Sequence, residues 1–193
     1  NDIAVGYTPG GKRMAIALSY PDRANELYIK DGNSGFSRYE GSAVSELIKT
    51  TTSVSFHDFN ADGYMDLYFT NTSNQTNDVL LSERKGSYSA ASAGDLTSVN
   101  NNTTSHIAAD LDNNGKPEVV TTASNPSSSS AINVFKAQTE DSLNYRSITI
   151  PNLTNLSAKI SQVLVLDFNN DGWLDLLFIN EDTDPAILLF ENE

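Results

Sequence analysis

The chain has 193 residues, with 12 Lys and Arg against 25 Asp and Glu, a formal charge of −13, two His and no Cys. That length suits one domain or two very small ones, and the acidity argues against nucleic acid and anionic membrane surfaces as partners. Without Cys there is no disulfide scaffold, thiolate zinc site or thiol nucleophile, and no apolar run approaches the ~20 residues needed to span a bilayer.

The opening residues, Asn1–Val5, have neither the charged region nor the apolar core of a signal peptide, so any leader is expected to have been removed already. Apolar or alternating runs then follow at short intervals. Ile3–Tyr7, the run after Gly11, Glu26–Lys30 and Phe36–Tyr39 come first, and Ala43–Ile48 is the one weak helix candidate, of one or two turns. Next are Ser53–Phe56, Leu67–Thr70, Asp78–Ser82 and Ser87–Ala90, and after them His106–Ala109, Val119–Thr122, Ala131–Phe135 and Tyr145–Ile150. The last set is Ser161–Leu166, Leu176–Asn180 and Ala186–Phe190. The runs are rich in Val, Ile, Leu, Phe and Tyr and are separated by Gly, Asn, Asp and Ser clusters, which is strand punctuation. Asn125-Pro126 and Ser127–Ser130 read as a low-complexity loop inside the third set.

The sets share a repeated segment. Asp58–Asn71 reads DFNADGYMDLYFTN, Asp110–Ala123 reads DLDNNGKPEVVTTA and Asp167–Asn180 reads DFNNDGWLDLLFIN, with starts 52 and 57 residues apart. Stepping back 52 residues from Asp58 lands on Gly6, where GYTPGGKRMAIALS keeps a glycine, Gly11, and the following apolar run but has lost every acid. Four short strands in about 50 residues, repeated, is the signature of a β-propeller blade. The expected fold is therefore an all-β propeller of about four blades in one domain over residues 1–193, or a fragment of a larger propeller. The blades fall at about 1–40 (degenerate), 53–90, 105–150 and 161–193, and the last stops after its third strand.

In each loop, oxygen-bearing side chains stand at positions 1, 3, 5 and 9. They are Asp58, Asn60, Asp62 and Asp66, then Asp110, Asp112, Asn114 and Glu118, then Asp167, Asn169, Asp171 and Asp175, with Gly63, Gly115 and Gly172 at position 6. A hard divalent cation takes six to eight oxygens at about 2.3–2.6 Å, and alternate residues of a tight loop can present them together. The position-7 carbonyl, of Tyr64, Lys116 or Trp173, is the expected backbone ligand. An EF-hand would need Glu at position 12 and a helix after it, but position 12 is Phe69, Thr121 and Phe178, inside strand patterns. Magnesium usually keeps several waters, and transition metals want imidazole or thiolate, so three Ca²⁺ sites are expected, in the weak class on the order of 10⁻⁴–10⁻³ M. The bland alternative, plain acidic turns, is weakened by the recurrence of one five-position pattern at blade spacing.

The stretches DFNADGYMDL, DLDNNGKPEV and DFNNDGWLDL resemble the FG-GAP (VCBS-type) repeat, the calcium-loop blade of integrin α-subunit propellers and of many secreted microbial proteins. The resemblance covers blades two to four well and the first weakly. It implies that the loop joins the first and second strands of a blade and binds calcium through the residues above, and it assigns no metal role to Gly6, Thr8, Gly10 or Met14. Family propellers usually have seven blades, so this chain departs from the pattern.

No arrangement of Ser, His and Asp in a recognisable context is present, and the prominent paired carboxylates all belong to the loops, so no enzyme is expected. His57 and His106 read as strand histidines without chemistry, and Tyr64 and Trp173 as packing aromatics rather than sugar platforms. Sequons at Asn71, Asn74, Asn101, Asn102, Asn152 and Asn155 fall in expected loops or at strand ends and would tolerate N-linked glycans in a secreted eukaryotic chain. The bare apolar edge Ala186–Glu191 invites a closing strand from the N-terminal residues, although Ile3–Tyr7 is needed as the first strand of blade one, from a segment absent from this chain or, head to tail, from a neighbouring subunit, which would build a filament. The resulting expectation is an extracellular calcium-binding structural or adhesion module with a protein or glycan ligand. The alternative is a calcium-dependent lectin, since some relatives with such loops bind sugars.

Overall fold

The computed structural model describes residues 1–8, 13–32, 35–40, 42–83, 87–98, 100, 102–123, 130–139, 143–154, 158–181 and 186–193. Gly10, Gly11, the Asn125–Ser129 part of the low-complexity loop and the sequons Asn101 and Asn155 lie outside them. Four small antiparallel sheets are arranged as four propeller blades. The first holds β1 (Asp2–Tyr7), β2 (Met14–Ser19), β3 (Glu26–Lys30) and β4 (Phe36–Arg38), followed by the single-turn α1 (Ala43–Glu46). The second holds β5 (Thr51–His57), β6 (Asp66–Asn71), β7 (Asp78–Ser82) and β8 (Tyr88–Ala91), followed by α2 (Asp95–Ser98). The third holds β9 (Thr103–Ala109), β10 (Glu118–Ala123), β11 (Ile132–Ala137) and β12 (Tyr145–Ile148). The fourth is three-stranded, β13 (Ile160–Leu166), β14 (Asp175–Asn180) and β15 (Ile187–Phe190), as the run count anticipates.

The strands meander in chain order because each short apolar run is separated from the next by a turn too short for a crossover. The second strands β6 and β10 are buried at every position, so LYF and VV run without the alternation of a half-exposed strand, and Thr70, Thr121 and Thr122 are buried beside them. Three apolar clusters fill the spaces between neighbouring blades. One joins Ala15, Ala17 and Leu27 of the first blade to Val54, Leu67 and Phe69 of the second. Another joins Tyr68 and Val79 to Val119 and Phe135, and a third joins Val120 and Val134 to Val163, Leu176 and Phe178.

Polar bonds repeat across the inner strands as well. The hydroxyl of Thr52 donates to the Thr103 carbonyl at 2.8 Å, and that of Thr104 to the Ile160 carbonyl at 3.1 Å. Asp2 accepts from the Ser53 hydroxyl at 2.6 Å and the Val54 N–H at 3.1 Å, tying blade one to blade two. The two end flanks stay exposed. Ile3, Val5 and Tyr7 are 53–60% exposed on blade one, and Leu164, Leu166 and Phe168 are 37–61% exposed on blade four.

Blade one departs from the 52-residue spacing for a structural reason. Gly6 lies within β1, paired with Ala15, rather than at the start of a loop. A Cβ there would fall 2.5 Å from the Phe56 ring, so glycine is needed for the two inner strands to approach. Thr8 N–H bonds the Arg13 carbonyl next to the Tyr7–Met14 pair, so the paired Tyr7 and Met14 are separated in the sequence by residues 8–13, whereas residues 58–65 separate the paired His57 and Asp66. The first connection is thus too short to repeat the acidic loop. Ala43–Ile48 contains α1, while α2 carries no apolar stripe in the sequence and is held instead by Leu96 in the core.

Candidate metal centre

Each acidic loop links the first and second strands of its blade, β5–β6, β9–β10 and β13–β14. The three follow one backbone path. Position 4 is left-handed in every copy (Ala61 φ 57°, Asn113 φ 55°, Asn170 φ 61°), and so is the glycine at position 6 (Gly63 φ 83°, Gly115 φ 88°, Gly172 φ 91°). Only glycine takes the second of these conformations without strain, so its place in the pattern is a requirement of the turn itself.

The position-1 carboxylate folds the loop around itself. Asp58 accepts from the N–H groups of Asp62 at 3.1 Å and Gly63 at 2.8 Å. Asp110 does the same with Asn114 (2.9 Å) and Gly115 (2.7 Å), and Asp167 with Asp171 (3.1 Å) and Gly172 (3.0 Å). Position 5 accepts from the position-7 N–H: Asp62 from Tyr64 at 2.9 Å, Asn114 from Lys116 at 2.8 Å and Asp171 from Trp173 at 2.8 Å. Tyr64 and Trp173 are half-buried.

Position 9 opens the second strand and is buried. Asp66 accepts from Phe59 N–H at 3.0 Å and, across the blade, from Ser82 N–H at 2.8 Å. Asp175 repeats this with Phe168 N–H and Asn192 N–H, both at 2.8 Å. Glu118 accepts from Leu111 N–H at 3.0 Å. The position-9 acid therefore joins the loop to the body of its blade. Burial pushes the Asp66 carboxyl up to about 6, the N–H groups of Ser82 and Phe59 oppose that rise, and the nearby Asp62 and Asp58 charges add to it. Burial likewise raises Glu118.

Asp110, Asp112 and Glu118 each present a carboxylate oxygen within 4.8 Å of the other two. One ion contacted at about 2.3–2.6 Å can bridge oxygens at that spacing, and the all-oxygen donor set suits a hard cation. The residues of this loop thus fit calcium. A feature missing from the sequence reading is Lys136, on β11, whose ammonium bonds Asp112 and stands 3.7 Å from Glu118. Its hydrogen bond to Asp112 raises its own pKa. By strand register its counterparts are Leu81 in blade two and Glu191 in blade four, so neither has a cation at this position. In those blades the position-3 amide takes a related part, with Asn60 donating to Asp62 at 3.1 Å and Asn169 to Asp171 at 2.8 Å. The Asp112 side chain, a carboxylate, has no N–H to offer.

The other candidates resolve differently. His106 is buried, with Nε2 at 2.6 Å from Ser55 Oγ and its ring edge-on to Tyr68 at 4.8 Å. Burial lowers its pKa to about 3, and that of His57 to about 4, so both are neutral packing groups. Asn71 is fully buried, and its amide nitrogen donates to the Thr76 carbonyl and to Asp78. That sequon is closed to a glycan in the folded protein, because the modifiable nitrogen is already bonded inside the blade. Asn74 and Asn152 are exposed and Asn102 half-exposed.

Four small antiparallel blades, three of them with the same structured loop after the first strand, define a β-propeller fold. Residues 58–121, from the loop of the second blade through β6–β8 and the loop of the third to β10, match the family described as FG-GAP-like repeat. That match and the four blades together support an FG-GAP-type repeat propeller, a fold that is typically non-enzymatic. No curated protein matches the chain.

Proposed function

We propose that the chain is a non-enzymatic extracellular module in which calcium stiffens the loops of blades two, three and four, leaving the blade faces and edges to contact a protein or glycan ligand. The observation that carries this reading is the common path of the three loops, with acids at matched positions and the carboxylates of Asp110, Asp112 and Glu118 converging within 4.8 Å. Bound calcium would supply a fixed positive charge on carboxylates that otherwise repel one another. Asp66 and Asp175 already accept bonds from both the loop and the end of the third strand, at Ser82 in β7 and at Asn192 just past β15, so holding them in place fixes the hairpin geometry. Nine of the 25 acids lie in these loops, so the acidity of the chain is concentrated where calcium would offset it.

Calorimetric titration of calcium into the metal-free chain tests this. Saturable heat with a Kd on the order of 10⁻⁴–10⁻³ M is expected. It should diminish in Asp167→Ala, and heat of dilution alone overturns the reading.

A further inference from the structure

One register position on the third strand separates the three acidic loops. The residue opposite the position-9 acid, one step past the pairs Leu67–Leu80, Val119–Phe135 and Leu176–Phe190, is Leu81 in blade two, Lys136 in blade three and Glu191 in blade four. Only blade three has a cation there. The Lys136 ammonium bonds the Asp112 carboxylate and stands 3.7 Å from Glu118, and these are two of the three acids that converge within 4.8 Å of one another.

The loop itself differs to match. Blades two and four carry an amide at position 3 and a carboxylate at position 5, and the amide donates to the carboxylate, Asn60 to Asp62 at 3.1 Å and Asn169 to Asp171 at 2.8 Å. Blade three reverses the order, with Asp112 at position 3 and Asn114 at position 5. The bond that the position-3 side chain makes inside the other loops is made here to β11. Each loop holds three acids, so the charge offered to an ion is −3 in blades two and four and, with the Lys136 ammonium added, −2 in blade three.

Calcium affinity in an oxygen cage is tuned by the charge of its ligands. An ion seated among Asp110, Asp112 and Glu118 must also displace the ammonium, because two cations in contact with the same carboxylates repel each other. The Lys136 side chain is 36% exposed and borders a cavity of about 170 Å³ together with Asn114, Glu118 and Gln138, so its flexible stem has room to swing out.

We propose that Lys136 sets the order in which the loops take calcium: blades two and four fill first, and blade three stays occupied by its own ammonium until calcium displaces it. The third loop is then closed by the chain itself at low calcium and opened by high calcium. This rests on the reading of the loops as calcium sites and ranks them.

The test is NMR of the full chain carrying isotopically labelled glycine, with calcium chloride as the titrant. Gly63, Gly115 and Gly172 each donate to the position-1 carboxylate of their own loop, at 2.8, 2.7 and 3.0 Å, so their amide signals report the three loops separately. Gly63 and Gly172 are expected to move first, with the Gly115 midpoint at about fivefold higher calcium or more, as one half-exposed ion pair would give. Lys136→Met should bring the Gly115 midpoint level with the other two, and Lys136→Arg should keep the delay. Coincident midpoints in the parent chain, or a Gly115 delay that survives in Lys136→Met, overturns the proposal and leaves the calcium reading standing. Loss of the delay in Lys136→Arg as well would assign it to packing of the lysine stem and overturns the proposal too. No shift at any of the three glycines overturns the calcium reading and this order with it.

Discussion

Replacing Lys136 by methionine keeps the apolar stem and removes the ammonium from the third-blade loop. At the 3.7 Å separation from Glu118, with an effective dielectric near 20, the gross attraction is about 4–5 kcal/mol. The Lys136 and Asp112 side chains are 36% and 39% exposed, so solvent screening and side-chain entropy reduce the net value to about 1 kcal/mol. Leaving buried Glu118 beside Asp110 and Asp112 without a counter-charge adds to this, and a total loss of about 1–2 kcal/mol is expected in EGTA. For a chain of this size that lowers Tm by roughly 3–6 °C. In excess calcium the order of effects should change. The metal no longer competes with a tethered ammonium, so K136M should gain more Tm from calcium than the parent does. Differential scanning fluorimetry of both proteins across a calcium series measures this directly. Equal melting in EGTA together with equal calcium-induced shifts would refute the assignment of Lys136 as the internal counter-ion.

Two further outcomes follow from the blade interfaces. Phe59, fully buried at loop position 2, packs edge-on against Tyr68 and Tyr145 with centroids 5.9 Å away in each case, so Phe59→Ala should cost about 3–5 kcal/mol in urea unfolding. Its counterpart Phe168 is 61% exposed, and Phe168→Ala should change stability by less than about 0.5 kcal/mol, so equal losses would contradict the described blade order. His106 refuses a proton in the folded chain until about pH 3, whereas the unfolded chain takes one near pH 6.5. Its contribution is therefore complete above pH 6.5 and declines as pH falls below that value; His106→Gln should flatten this acid limb, and an unchanged slope in pH-dependent unfolding would count against it.

The repeat made most of the fold legible. Glu26–Lys30 and Asp78–Ser82 are strands with the same ends in sequence and structure, because turn residues bound them on both sides. The absent twelfth-position Glu separated these loops from EF-hands, and the three-stranded last blade followed from counting runs. What stayed hidden depends on contacts between distant residues. Lys136 lies 24 residues from Asp112, and only the β10–β11 register brings them together. A cavity beside β15 is defined by groups from both blades three and four, which no local pattern displays. Asn71 reads as an open sequon because sequence shows the acceptor triplet and not the buried amide bonds. The 52-residue step misplaced Gly6 since the first connection is shorter than the others.

The most direct test of the calcium-stiffened module is thermal melting of the full chain in EGTA, in about 10 mM magnesium and in about 10 mM calcium. With sites in the 10⁻⁴–10⁻³ M class, each occupied loop adds about 1.5–3 kcal/mol at that calcium concentration. The account predicts a Tm in calcium at least about 5 °C above that in EGTA, with magnesium giving a small fraction of the rise. Superimposable melting curves in all three conditions would contradict it.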